Sequence, residues 1–263
     1  YLLMTTRPYA DQVNTSRADN YSSAAAGRAE NGKLLACFDV VLDEDGCLGT
    51  YRQVAPEEAA KGTKWYAYLE TPMPNPWYNN QTYVDTLNPE AIRRFIEVTY
   101  ERYRETLGED LGGVAPAIFT DEPQFSHKQT LNFPEDKTDV VLPWTDDLAD
   151  TFFAAYGEDL VAGIPELFWE LPGGKVSTVR YHYHDHTCQR FTEAFADQCG
   201  AWCADHGLML TGHMMEEPTL RSQTCALGET MRSYRSFQLP GIDMLCDSVE
   251  LTTAKQAQSA AHQ

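Results

Sequence analysis

Basic residues are scarce in this chain: 20 Lys and Arg stand against 39 Asp and Glu, for a formal net charge of −19. A surface of that sign repels phosphate, so neither nucleic acid nor an anionic membrane surface is an expected partner. Long apolar runs are missing too. No stretch approaches the roughly 18 consecutive apolar residues that a spanning helix needs, so no membrane partner is expected. Paired cysteine spacing is also absent. The seven cysteines, at 37, 47, 188, 199, 203, 225 and 246, are an odd number without the pattern of a zinc ribbon or a small disulfide framework. They are expected as free thiols, most of them small core residues in a reducing compartment, which favours a cytoplasmic location over a secreted or periplasmic one. Cys199 and Cys203, four apart, fall on one face of an expected helix. The opening YLLMTT shows no charged-then-apolar leader and reads as the middle of a chain, so flanking domains of a longer protein are expected.

What is present is the balance of an ordinary globular chain, 43% hydrophobic and 22% charged over 263 residues. Residues 1–33 are polar and rich in Ala and Ser, and they read as the end of a helix (Tyr1–Val13) and a loop leading into the barrel expected downstream. Residues 34–55 hold two apolar runs separated by DEDG, whose Asp45-Gly46 supplies the positive φ of a tight turn, so they are expected as a β-hairpin excursion. From residue 56 to 263 short strands alternate with amphipathic helices, the signature of βα units around a parallel sheet or barrel. Four strands can be counted: Lys64–Glu70, Val114–Thr120, Leu208–Gly212 and Ile242–Leu245. Helices are expected from Asn88-Pro89-Glu90 to about Leu107, in two short pieces between Thr145 and Pro165, over Val179–His206 with Gly207 as its cap, and at the very end of the sequence. The expected fold class is α/β of the (β/α)8 TIM-barrel type, with only the central part of the barrel present and a hairpin inserted.

Loops after the carboxyl ends of such strands converge on one face, where active sites are built. Two of these strands end in an acidic doublet followed by Pro: FTDEP at Asp121-Glu122 and GHMMEEP at Glu216-Glu217. One protonated carboxyl and one ionised carboxylate are what glycoside hydrolysis requires. Acidic residues at strand ends also serve as helix caps and solvated loop residues, and alternation along a strand lets only one member of each doublet face inward easily. Trp77, Tyr78, Tyr83, His127 and Trp144 fall in loops on the same expected rim, where flat rings can cover the apolar face of a sugar. Asp247, after the fourth strand, is a further binding candidate, and His213 neighbours the second doublet.

The runs NNQTYVDTLNPEAIRRFIEVTYERY, IFTDEPQF, PWTDDLADTFFAAYGEDL, CADHGLMLTGHMMEEPTLRSQ and MRSYRSFQLPGIDML, over about residues 64–250, resemble the α-L-rhamnosidase-like glycoside hydrolases. These are large bacterial (β/α)8 enzymes, and the chain is more distantly similar to the clan A β-galactosidase barrels. The resemblance implies a glycosidase acting on a plant or gut polysaccharide or oligosaccharide, with Glu122 as general acid and Glu217 as general base. Asp121, Glu216 and His213 are neighbouring candidates, and an inverting outcome is preferred. It also implies calcium near the sugar in some members, with ligands that cannot be chosen here; no other cofactor is implied. Two features depart from the family: the Glu216-Glu217 doublet leaves the register ambiguous by one residue, and four strands fall short of a barrel's eight. The isolated chain is therefore expected to turn over little substrate.

His182 and His186 stand at i, i+4 on an expected helix, a spacing that can grip zinc, but no HExxH glutamate accompanies them, and exposed helix histidines are the simpler reading. Asp43-Glu44-Asp45-Gly46 echoes part of a calcium loop and is better explained as a turn. The competing class of function is a non-catalytic carbohydrate-binding or structural barrel fragment of a larger multidomain protein.

Overall fold

In the computed structural model, which describes residues 1–8, 32–244 and 249–263, the runs flanking DEDG form strands β2 (Lys33–Leu42) and β3 (Leu48–Gln53), paired antiparallel. Gly46 closes the turn at φ +77°, and Asp43 Oδ1 accepts the amides of Asp45 and Cys47, so the acidic run is spent on a turn. The opening residues are not the end of a helix. Leu2–Thr5 form strand β1, whose four side chains are all buried between β4 (Thr63–Leu69) and β6 (Val140–Leu142). Four residues are too few to display a period, which is why the apolar run alone did not distinguish the two. The remainder of the expected helix and the loop to Asn31 lie outside the described residues.

The chain divides into two units, residues 1–83 with 126–184, and residues 84–125 with 185–263. This differs from the single partial barrel expected over 56–263. In the first unit all five strands form one antiparallel sheet, in the order β3-β2-β4-β1-β6. The strand expected as the first of the parallel series is therefore β4, antiparallel to both of its neighbours. Phe38, Trp65, Trp144, α2 residue Phe152 (α2, Leu148–Tyr156) and Trp169 share its core, with Trp65 and Trp169 edge to face at 5.2 Å. Of the two short helices expected here, the second is only a 3-10 turn over Ile164–Leu167.

The second unit carries the parallel pairing. Helix α1 (Pro89–Leu107) starts where Asn88 Oδ1 accepts the amides of Glu90 and Ala91 and Pro89 fills the first position. It buries Ile92, Ile96 and Tyr100 at i, i+4, i+8. Strands β5 (Ala117–Asp121), β7 (Met209–His213) and β8 (Leu239–Pro240) form a parallel sheet in the order β5-β7-β8. The expected Val179–His206 helix is continuous but not uniform: α3 (Thr178–Phe191) passes through a π-helical segment, Thr192–Asp197, into α4 (Gln198–Asp205). Ile118 and Leu210 face a core built with Ile92, Tyr100, Phe195 and Cys199. Among the described residues the cysteines are free thiols, and burial holds those of Cys199 and Cys203 up at about 12 and about 11. The other face of the sheet leaves Phe119, Met209 and Leu239 exposed. Described strands form one antiparallel and one open parallel sheet, so the fold is mixed α/β without a closed barrel. Short helices α5 (Leu220–Ala226) and α6 (Thr230–Tyr234) and the terminal α7 (Leu251–Ala261) complete this unit.

Candidate active site

The register of β5 on β7 sets Asp121 opposite His213, at the carboxyl ends of neighbouring parallel strands. Alternation puts both on the face away from the α1 core, with Phe119 edge-on to the His213 ring at 5.6 Å. The close approach of the strands is fixed by Gly212, at φ +129°, where a Cβ would lie 2.0 Å from the Thr120 carbonyl oxygen. Strand β8 delivers a third group: the Gly241 amide bonds the Gly212 carbonyl at 2.8 Å, and Asp243 follows two residues later.

Glu122, Asp243 and His213 meet there, each offering one ligand atom within 4.8 Å of the others. His213 Nε2 lies 3.0 Å from Asp121 Oδ1 and 3.8 Å from Asp243 Oδ2. The nitrogen is sealed from solvent, yet neither carboxylate is aligned to form a hydrogen bond with it. Glu122, half-buried and at φ +47°, is the group whose acidity this arrangement changes. Burial, then the negative charge of Asp121, raises its carboxyl above the ordinary glutamate value; Asp243 and Glu216 push the same way, and His213 opposes them.

The second doublet is split by the turn that follows β7, beyond the strand itself. Glu216 is exposed at φ +59°, while Glu217 is buried, 4% exposed. Glu217 Oε1 accepts the Met214 amide at 3.1 Å and the Tyr234 hydroxyl at 2.7 Å, and Oε2 accepts the Asp243 amide at 3.1 Å. Burial and the Glu217 charge raise the Tyr234 phenol, so it remains a donor. The Glu217 backbone carbonyl takes the side-chain amides of Gln223 and Gln256, both at 2.8 Å. Asp243 thus links the two carboxylates, its amide on Glu217 and its side chain beside Glu122. Neither Asp243 nor Tyr234 was singled out from the sequence. The fourth strand was expected at Ile242–Leu245, which hid Asp243 inside it; the strand is Leu239–Pro240, and the Pro240-Gly241 exit was the available signal. Asp247 lies outside the described residues.

The proposed sugar-facing aromatics belong to the first unit. Trp77 is 73% exposed on the 3-10 turn Pro76–Tyr78, Tyr78 and Tyr83 stand 5.0 Å apart, and His127 is half-buried. Trp144 is not a rim residue: it is buried in the core of that unit, where β6 leads into α2, and offers no face to a ligand. Two of the helix histidines have separate partners, and His186, the other member of the i, i+4 pair, is buried rather than exposed. His182 Nδ1 meets Glu158 at 2.8 Å and its ring stacks on Tyr156, while His184 faces Lys128 and is pushed down to about 3 by burial and that neighbouring charge. Calcium, implied by the resemblance, takes six to eight oxygen ligands. The one group of three or more potential ligands among the described residues places a sealed imidazole nitrogen between two carboxylates, a donor set that does not fit calcium.

The fold and site define a mixed α/β protein with carboxylates gathered at the carboxyl edge of a parallel sheet. No protein-family model matches the chain, and no curated protein matches it. Among solved structures, a rhamnosidase from Novosphingobium sp. PP1Y is similar at 19% identity and a TM-score of 0.51 over 84% of this chain. The chain spans 20% of that rhamnosidase's length, and the likeness is one of fold.

Proposed function

We propose that this chain is part of the catalytic domain of a rhamnosidase-like glycoside hydrolase, with Glu122 as general acid and Glu217 as general base. The observation that carries the reading is the raised carboxyl of Glu122 at the carboxyl edge of the parallel sheet, coupled through Asp243 to a second, firmly oriented carboxylate. An acid must hold its proton near neutral pH, and burial beside other carboxylates favours that form. Glu217, with both oxygens oriented by donors, is suited to take a proton from water on the opposite side of the sugar, the inverting course. The fold likeness to a rhamnosidase supports the same class, and the substrate is a plant or gut polysaccharide or oligosaccharide. The parallel sheet would then be part of a larger barrel, since parallel sheets are normally covered on both faces and this one exposes Phe119, Met209 and Leu239.

The test is the full-length gene product on aryl glycosides and polysaccharides. Glu122→Gln should lose most activity on poor leaving groups, because good ones depart without protonation, while Glu217→Gln should depress all substrates alike. Wild-type rates in both variants would overturn the assignment. One observation favours a second, non-catalytic reading: both oxygens of the buried Glu217 carboxylate are already engaged within the fold, as those of a structural carboxylate would be. No turnover by the full-length protein, with sugar binding retained, would select it.

A further inference from the structure

We infer that Glu122, His213 and Asp243 form a binding site for a borderline divalent transition-metal ion of the zinc class. Three features support it. Their ligand atoms lie within 4.8 Å of one another, and two ligands of a tetrahedral ion at about 2.1 Å stand roughly 3.4 Å apart, so small side-chain rotations close the set. One pair, His213 Nε2 and Asp243 Oδ2, is already at 3.8 Å. The decisive feature is His213 itself: the residue is 8% exposed, Nε2 is sealed, and no hydrogen bond satisfies it, although a buried ring nitrogen ordinarily has a partner. A metal ion is a partner that this nitrogen can take while the surrounding carboxylates supply the neutralising charge. Asp121, whose Oδ1 is 3.0 Å from the same nitrogen, stands ready as a fourth oxygen donor.

The mixed nitrogen and oxygen set selects the metal. An imidazole among carboxylates suits zinc, cobalt or manganese, whereas calcium and magnesium favour all-oxygen shells. Binding there occupies the carboxylate of Glu122. Where Glu122 is the general acid, which rests on the function proposed above, such an ion inhibits by removing the group that would hold the proton. The binding itself is independent of that reading.

The experiment titrates the 263-residue chain with Co2+, followed by its visible d–d bands, and with Zn2+ by calorimetry. One site per chain is expected, without the near-ultraviolet thiolate band that cobalt on a cysteine gives. His213→Ala and the milder His213→Gln should each weaken it at least about tenfold, as should Asp243→Asn. His182→Ala is the control, because His182 is engaged by Glu158 and belongs to the other unit. Circular dichroism of each variant reports whether the fold is retained. Affinity unchanged in both folded His213 variants, a thiolate band, or Ca2+ competing as well as Zn2+ would overturn the site. Loss of binding in the His213 variants with the Glu122→Gln enzyme still active would leave the metal site standing and remove the catalytic reading alone.

Discussion

Replacing Glu217 by Gln tests whether the buried carboxylate organises the edge of the parallel sheet. In the parent, three donors converge on two oxygens: Tyr234 and the Met214 amide on Oε1, and the Asp243 amide on Oε2. An amide keeps the shape but offers one acceptor oxygen and one donor NH2. If the oxygen stays where Oε1 was, the NH2 faces the Asp243 amide, donor against donor, and that amide is left without its acceptor. Leaving one buried donor unsatisfied costs about 1–3 kcal/mol, and the remaining bonds lose their charge assistance, for a total of about 2–4 kcal/mol. Turning the amide over restores an acceptor to the Asp243 amide, and the Tyr234 hydroxyl can accept from the NH2 while donating to the Gly241 carbonyl at 2.8 Å, but the Met214 amide then faces a donor, so one buried amide is left without its acceptor either way. Tyr234→Phe removes one of the three donors and should cost about 1.5–3 kcal/mol. Because the two residues touch, the double variant should fall short of additivity by at least about 1 kcal/mol. Urea unfolding by circular dichroism gives the stabilities. Hydrogen exchange over Met209–Tyr234 shows that the loss belongs to this unit, which matters where two units can unfold separately. A Glu217→Gln protein within about 0.5 kcal/mol of the parent, or strictly additive effects, would refute the reasoning.

Gly212→Ala should abolish the pairing of β5 with β7, since its Cβ would meet the Thr120 carbonyl oxygen at 2.0 Å and the backbone sits at φ +129°; a soluble, natively protected variant would contradict this. Asp136 accepts four bonds from Asn132 and Thr138, which hold its carboxyl well below the usual aspartate value. Its stabilisation is present above the ordinary carboxylate range and lost as pH falls toward the depressed value, so Asp136→Ala should cost about 1.5–3 kcal/mol at neutral pH and progressively less in acid, measured by urea midpoints. Glu122 has the opposite sign. Its raised carboxyl contributes stability below the ordinary glutamate value that is lost as pH rises through the higher folded value, so Glu122→Gln should flatten the pH profile of stability above about pH 4.5, and an unchanged profile would argue against the shift.

Much of the site was legible because strand-end carboxylates leave a plain trace: an apolar run that stops at TDEP or HMMEEP ends in the structure at the edge of a parallel pair. Strand direction left no such trace. KWYAYLE reads the same whether its neighbour runs with it or against it, and only the partner strands β1 and β2 make β4 antiparallel. Trp144 failed for a related reason, since an aromatic beside turn residues reads as a rim group until the tertiary fold shows the core that receives it. Tyr234 and the glutamines that grip Glu217 were beyond reach because their contacts span from 6 to 39 positions along the chain and follow no period.

The π-helical segment Thr192–Asp197 has a consequence for counting along the chain. Phe191, Phe195, Cys199 and Cys203 are spaced by four, and all are buried in the same core. In an unbroken α-helix, at about 100° per residue, twelve residues carry that spacing roughly 120° around the axis, so the last thiol would leave the core line. Six residues wound more slowly, at roughly 80° each, take back nearly all of that rotation and align the four side chains as one straight seam. The wide turn therefore acts as a frame-keeper. Removing a single residue from it would replace about 480° of slow winding by about 500° of ordinary winding and leave Cys199 and Cys203 within about 20° of the seam, whereas restoring ordinary winding with all six residues kept would swing them by about 120°.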